Sequence, residues 1–172
     1  GQPAVLARAV AVREAAAQAI GAWNHAQFEH ERLGIERLLA AGELPRAYQA
    51  AAALHQRALA AGEAAYPGAD YDIAMAINLI GQVLFAAGDA ASALEQLKDA
   101  QRRFEAFSPD VRMAGVVITR QGDCLRDLGR LEEAAAAYEE AIQRGKQRDD
   151  ARSVAVNSGQ LGTVRLYQER YA

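Results

Sequence analysis

The side chains that most often carry out catalysis are few in this chain and poorly spaced for it. His25 and His30 flank Glu29, but they lie five residues apart, whereas two histidines that bind a metal from one helix face are usually four apart. We therefore interpret both histidines as loop or surface residues. Cys124 lies in a predicted helix without a histidine near it in the sequence, which indicates a packed, inert thiol.

Other motifs that carry chemistry are absent from the sequence. It contains no phosphate-binding glycine loop, no Gly-x-Ser-x-Gly nucleophile motif and no convincing pair of catalytic carboxylates. The acidic pairs Glu132-Glu133 and Glu139-Glu140 are typical of exposed helix surface. We therefore predict that this chain is not an enzyme and that it uses no cofactor and no metal.

The composition favours an all-α protein. Of the 172 residues, 41 are alanine, which has the highest helix propensity, whereas β-branched and aromatic residues are scarce. Small side chains let helix backbones approach closely, so thin helical layers can stack without a wide core. The net charge of −3 does not supply the positive surface that binding to nucleic acid or to an acidic membrane requires.

Nothing in the sequence predicts a membrane-spanning or secreted protein. No run of about 18 apolar residues is present, and the first residues do not resemble a signal peptide. Cys124 is the single cysteine, which excludes an internal disulfide. We therefore expect a cytoplasmic location.

A sequence repeat organises the chain from residue 71 onward. Residues 77–84 align with residues 118–125 at an offset of 41, and a further copy begins at Leu161-Gly162, 40 residues after Gly122. The offset of 41 also relates Gly88 to Gly129, Ala93 to Ala134, Leu97 to Tyr138 and Ala100 to Ala141. An earlier copy, near residues 38–59, is blurred. An offset that persists over this length indicates a repeat array.

Each unit is predicted to contain two helices. Apolar residues spaced three and four apart form one stripe on each helix, and Gly88-Asp89 is typical of a helix end because Gly adopts the left-handed conformation. The predicted helices are 4–21, 26–41, 45–65, 71–87, 90–107, 111–128, 131–147 and 151–168. The corresponding units are 1–25 (partial), 26–70, 71–110, 111–150 and 151–172 (truncated).

This pattern resembles that of the tetratricopeptide-repeat family, in which a large residue and Gly on the first helix, a Gly at the turn and a small–aromatic–small series on the second helix recur. Two sets of residues match it: Ile77, Ile80, Gly81, Leu84, Gly88, Ala93, Leu97 and Ala100, then Ile118, Gly122, Leu125, Gly129, Ala134, Tyr138 and Ala141. The resemblance implies a right-handed superhelical solenoid of about eight helices in antiparallel pairs. It also implies that Gly81 and Gly122 touch the paired helix opposite Ala93 and Ala134. The long period is similar to that of kinesin light chains, polarity adaptors and bacterial signalling proteins.

By the same resemblance, the first helix of each unit lines a concave face that binds a peptide or a protein. The outward residues of these helices are the candidate binding residues: Arg32, Glu36 and Leu39; Asn78, Gln82 and Phe85; Thr119, Arg120, Asp123 and Arg126; Thr163, Leu166 and Tyr167. The amides of Asn78 and Gln82, one turn apart, can pair with a peptide backbone. Arg120 and Arg126 can bind a carboxylate. A solvated, salt-bridged surface, with Arg120 paired to Asp123, is the equal alternative.

We therefore expect a scaffold that binds another protein or peptide and forms part of a larger signalling or regulatory protein. One alternative is self-assembly into a homo-oligomer, because the last unit stops before its second helix and leaves a helix face uncovered. Another alternative is a sensor whose array changes curvature when a small peptide or ligand binds.

Overall fold

The computed structural model describes the backbone of residues 2–172 and the side chains of residues 2–12 and 22–172. Eight α-helices follow one another in the described chain: α1 (Gln2–Gly21), α2 (His25–Ala40), α3 (Leu44–Ala61), α4 (Ala69–Ala86), α5 (Ala90–Phe107), α6 (Arg112–Asp127), α7 (Leu131–Gln147) and α8 (Ala151–Tyr171). The all-α prediction is confirmed, and the predicted helix ends differ from these bounds by four residues at most.

The helices from α2 to α8 pack in chain order. Each of them contacts the next one along the chain, and α2 additionally contacts α4. An arrangement in which neighbours in sequence are neighbours in space is consistent with a helical repeat array.

The turns between paired helices repeat in the structure as they do in the sequence. Gly88 has φ of 85° and Gly129 has φ of 73°, so both occupy the left-handed region at equivalent helix ends. After Gly88, the side chain of Asp89 accepts a hydrogen bond of 3.0 Å from the backbone N–H of Ser92 and thereby caps α5.

The segment between α3 and α4 differs from the prediction. We expected a helix to continue to residue 65, but α3 ends at Ala61 because Gly62 leaves the helical region with φ of 90°. The next helix begins at Ala69, two residues earlier than predicted. Asp70 and Asp72 lie in its first turn, where their negative charge complements the helix dipole.

Two apolar clusters meet at α4. One is formed mainly with α5, α6 and α7 and contains Ile73, Ile77, Leu97, Phe104 and Tyr138, among other buried side chains. The second is formed with α2 and α3 and contains Phe28, Ile35, Leu54 and Leu79. Because both sides of α4 are covered, its sequence is apolar almost all round, as expected for a buried helix.

Close contact between paired helices depends on two glycines of the repeat. A Cβ placed on Gly81 would lie 2.9 Å from Leu97 Cδ2, and a Cβ placed on Gly122 would lie 2.7 Å from Tyr138 Cε1. The predicted contacts at these glycines are confirmed, and the backbone oxygen of Ala93 lies 3.6 Å from the Cβ position of Gly81, as expected for a residue opposite it. The larger Leu97 and Tyr138 fill the space that the missing side chains leave.

Candidate functional site

A cavity of about 290 Å3 lies where α2, α4, α5 and α6 meet. Its walls are formed by Leu39 from α2, Gly81, Gln82, Phe85 and Ala86 from α4, Leu97 from α5, and Arg120 and Asp123 from α6. We call it the α4–α6 groove. Five residues that the sequence singled out for partner binding therefore converge on one place: Leu39, Gln82, Phe85, Arg120 and Asp123.

The apolar part of the α4–α6 groove comes from three different helices. Phe85 lies three residues after Gln82 on the same face of α4, and both side chains are half-buried. Leu97 forms part of the lining because Gly81, which has no side chain, lets it approach α4. Leu39, at the end of α2, completes an apolar wall beside the polar end of Gln82.

Arg120 carries the positive charge of the groove. Its Nε is buried without a hydrogen-bond partner, and within the described part of the chain its side chain makes no hydrogen bond or ion pair. Burial lowers the pKa of the Arg120 guanidinium, whereas the charges of Asp123 and Glu36 raise it. The groove therefore contains a half-buried cation whose donors are available to a bound group.

Asp123 is the acidic residue of the groove. Its Oδ1 accepts a hydrogen bond from the hydroxyl of Tyr138, which ties α6 to α7. Burial raises the pKa of the Asp123 carboxyl, and the hydrogen bond from Tyr138 and the charges of Arg126 and Arg120 only partly oppose this. Asp123 thus supplies an acceptor to the groove and also holds the Tyr138 ring in place.

Four of the predicted binding residues, Arg32, Glu36, Thr119 and Arg126, instead pair inside the molecule. Arg32 binds Glu29 at 2.8 Å and Glu36 at 2.5 Å along α2. Thr119 and Arg126 of α6 both bond to α8: Thr119 donates to Asn157 Oδ1 at 2.8 Å, and Arg126 donates to Gln160 Oε1.

Asn78 does not lie at the surface, so its predicted outward orientation was wrong. The residue is 1% exposed, and its Oδ1 has no hydrogen-bond partner among the described residues. The physical reason is that α4 is covered on both sides by the two apolar clusters, whereas Gln82 and Phe85, in the second half of the helix, stay half-buried and line the groove.

Tyr167 lies apart from the α4–α6 groove. It is exposed on α8, and its ring stacks on that of Tyr171 with centroids 6.4 Å apart. With Thr163 and Leu166 it lines a separate, shallow hollow near the end of α8.

A hydrogen-bonded cluster at the start of α2 was missed by the sequence reasoning. His25 Nδ1 lies 2.7 Å from Oδ2 of the buried Asp72, and the Tyr66 hydroxyl donates to the same oxygen at 2.7 Å. The hydrogen bond to Asp72 raises the pKa of His25. The acidic Asp72 within the apolar sequence of α4 was the one available signal, because His25 lies 47 residues away.

The same cluster contains the one group of side chains in the described residues that could hold a metal ion. Donor atoms of His25, Glu29 and Asp72 all lie within 4.8 Å of one another. However, His25 bonds directly to Asp72, and both carboxylate oxygens of Glu29 accept from Arg32. The His25–Asp72 and Arg32–Glu29 bonds together form an ion-pair cluster, and the first of them joins α2 to α4.

The remaining reactive candidate is the thiol of Cys124. It is fully buried, so the prediction of a packed thiol is confirmed, and burial raises its pKa to about 11. Across the described helices, none is long and apolar enough to span a membrane.

Comparison with known proteins does not identify a family for this chain. No protein-family model matches the chain, and no curated protein matches it.

Proposed function

We propose that this chain is a protein-binding scaffold that holds an extended peptide segment of another protein in the α4–α6 groove. The observation that carries this proposal is the convergence of Gln82, Phe85 and Arg120 from two different helices beside an apolar wall. Scaffolds of this kind supply positioning and affinity, and any chemistry lies with the proteins that they bring together.

An extended peptide matches the chemistry of this groove. Gln82 makes no side-chain hydrogen bond within the described residues, so its amide can donate to and accept from a peptide backbone. Phe85, Leu39 and Leu97 offer apolar contact to a side chain. A cavity of about 290 Å3 is at the small end of the range for ligand sites, so it accommodates one or two side chains.

The recurring structure supports membership of the tetratricopeptide-repeat family as part of this proposal. The tight glycines Gly81 and Gly122, and the turn glycines Gly88 and Gly129, are each 41 residues apart and occupy equivalent places. In such arrays, neighbouring units build a continuous surface for a partner.

The proposal is tested by selecting peptides from a displayed random library on the whole chain and measuring their dissociation constants by fluorescence anisotropy. The double variant Gln82→Ala/Phe85→Ala is expected to weaken binding by roughly 30-fold, because a central contact residue contributes about 2 kcal/mol. The matched control Tyr167→Ala, on α8 outside the groove, should bind as the unmodified chain does. Failure to enrich any peptide, or equal binding by the double variant, would refute the proposal.

Self-association is a second candidate function. Leu166 and Tyr171 on α8 are 68% and 76% exposed. Gly162, the equivalent of Gly122, meets no side chain, whereas Gly122 is covered by Tyr138 of the following helix. An uncovered helix face with exposed apolar side chains favours contact with a second copy.

A further inference from the structure

A second cavity, of about 610 Å3, shares no lining residue with the α4–α6 groove. It opens between the loop before α6, the second half of α7 and the start of α8. We call it the α6–α8 cavity, and the residues on which its chemistry depends come from the first turns of α6 and from the end of α7 with the turn after it: Arg112, Gly115, Val116, Arg144, Gly145 and Arg148.

The equivalent place in the preceding unit is filled by aromatic rings. At the offset of 41 residues, three aromatic residues of that unit correspond to three residues of the α6–α8 cavity: Tyr71 to Arg112, Phe104 to Gly145 and Phe107 to Arg148. The ring centroid of Tyr71 lies 5.2 Å from that of Phe104 and 5.3 Å from that of Phe107, so the three rings pack together. One unit therefore closes this corner with its own side chains, whereas the next unit replaces the rings by two arginines and a glycine.

The helices around Gly145 take up only part of the space that the rings fill in the preceding unit. A Cβ placed on Gly145 would lie 3.0 Å from Val154 Cγ2, so α8 packs closely on that side. On the other side, the nearest listed side-chain atoms to a Cβ placed on Gly115 are those of Arg144, at 4.0 Å, so room remains between α6 and α7. The cavity is thus open where small residues face each other.

The two arginines that replace aromatic residues keep most of their hydrogen-bond donors available. Arg148 Nη1 donates to the backbone oxygen of Asp110, which fixes this guanidinium across the cavity, and among the described residues Arg148 forms no ion pair. Arg112 Nε lies 3.6 Å from Asp150 Oδ2, too far for a hydrogen bond. The carboxylate of Asp150 already caps α8, because its Oδ1 accepts from the backbone N–H of Ser153 at 3.0 Å.

The third arginine of the cavity is paired more completely. Arg144 binds Glu105 at 2.7 Å and Glu140 at 3.1 Å. The unused donors of the α6–α8 cavity therefore belong to Arg112 and Arg148, which lie on opposite sides of it, on α6 and after α7.

We propose that the α6–α8 cavity binds a small molecule in which an aromatic ring carries an oxyanion, either a phosphate or a carboxylate. The oxyanion accepts hydrogen bonds from Arg112 and Arg148, and the ring occupies the space that aromatic side chains fill in the preceding unit, next to Val116. A guanidinium suits both parts, because it binds oxyanions through parallel hydrogen bonds and also stacks on aromatic faces. A volume of about 610 Å3 lies within the range for small-molecule sites. This inference does not depend on the proposed peptide binding.

The test titrates the whole, isotope-labelled chain with phenyl phosphate and with benzoate, followed by amide NMR spectra. At least one of the two is expected to shift the signals of Gly115 and Gly145 saturably, and the tighter ligand identifies the preferred oxyanion. Its dissociation constant should be about tenfold or more below those of orthophosphate and phenol, which each carry one part of the ligand. Absence of saturable shifts at the cavity with both ligands, or equal affinity for orthophosphate alone, would overturn the proposal.

Two variants test the arginines. Arg148→Gln should weaken binding by about tenfold, because a charge-assisted hydrogen bond is lost. Arg112→Tyr/Arg148→Phe introduces the side chains of the preceding unit and should abolish binding while the chain stays folded by circular dichroism. Arg130→Gln, in the turn between α6 and α7 outside the cavity, removes the same charge and should bind as the unmodified chain does. Unchanged binding by Arg148→Gln, or an equal loss in Arg130→Gln, would overturn the proposed site.

A third variant is expected to change the affinity in the opposite direction. The Asp110 side chain lines the cavity, but its backbone oxygen, and not its carboxylate, holds Arg148. Asp110→Asn should therefore strengthen binding of the oxyanion by about twofold or more, because a repelling charge is removed while the contact to Arg148 remains. Weaker or unchanged binding by this variant would contradict the placement of the oxyanion between Arg112 and Arg148.

Discussion

At the scale of single residues, the contact between Gly122 and Tyr138 is the tightest point of the paired helices. Tyr138 is fully buried, and its hydroxyl is held by Asp123, so the ring has little freedom to move away. Protein interiors are close-packed, and an added methyl group there forces neighbours out of their preferred positions.

We therefore expect Gly122→Ala to lower the free energy of unfolding by about 1–3 kcal/mol, despite the better helix propensity of alanine. The added Cβ would lie 2.7 Å from Tyr138 Cε1. Urea unfolding followed by circular dichroism measures the change. Gly162→Ala is the matched control: its Cβ meets nothing within 4 Å, so it should stabilise α8 by up to about 1 kcal/mol. Equal destabilisation by both variants would contradict the proposed role of close packing.

At the scale of helices, the hydrogen bond between His25 and Asp72 joins the start of α2 to the first turn of α4. This bond is the largest cause of the raised pKa of His25, and the charges of Asp72 and Glu29 raise it further. Burial and the charge of Arg32 act in the opposite direction. The protonated imidazole is therefore the form that favours the folded state.

The stabilisation by His25 should depend on pH. Because its folded pKa is raised, the contribution is complete below the ordinary value of 6.5 and is lost as the pH rises through the folded pKa. We expect His25→Gln to reduce the free energy of unfolding most at slightly acidic pH and least at alkaline pH. Urea titrations at a series of pH values measure this difference. His30→Gln, at an exposed position on the same helix, is the matched control, and a pH-independent loss in His25→Gln would exclude the charged pair.

At the scale of the whole molecule, nearest-neighbour packing covers α4 more completely than α8. The apolar sides of α4 are covered by helices on both flanks, whereas α8 contributes only Asn157 and Val164 to the buried residues. A helix face with exposed apolar side chains gives a chain a place to associate with another copy.

If self-association occurs there, the average molecular mass from light scattering should rise with protein concentration. The double variant Leu166→Glu/Tyr171→Glu should remain monomeric, because charges introduced on both sides of a contact repel and lose solvation. Tyr48→Glu, at a position on α3 that is 45% exposed, is the control and should associate normally. A mass that stays constant for the unmodified chain over the full concentration range would exclude this candidate.

Helix positions could be predicted from the sequence because the signals that set them are local. The turn residues Gly88 and Gly129, and Pro45 in the first turn of α3, act within a few residues of their own position. The main error, at the end of α3, arose where Gly62 ends the helix before the more obvious Pro67.

Part of the candidate site could also be predicted from the sequence. Gln82 and Phe85 share one helix face, and the 41-residue repeat placed Arg120 and Asp123 on the corresponding helix of the next unit. The repeat did not reveal which of these side chains form hydrogen bonds within the molecule. Equivalent positions in different units carry different side chains and contact different neighbours.

The sequence by itself therefore determined an all-α chain of eight helices in repeating order, since helix propensity, apolar spacing and turn glycines act over short distances. Only the tertiary structure decided that Thr119 and Arg126 bond to α8, that Asn78 is buried, and that Arg120 faces a cavity without a partner among the described residues. These outcomes depend on contacts between residues more than 30 positions apart. Whether a side chain is buried or paired depends on which residues the folded chain places next to it.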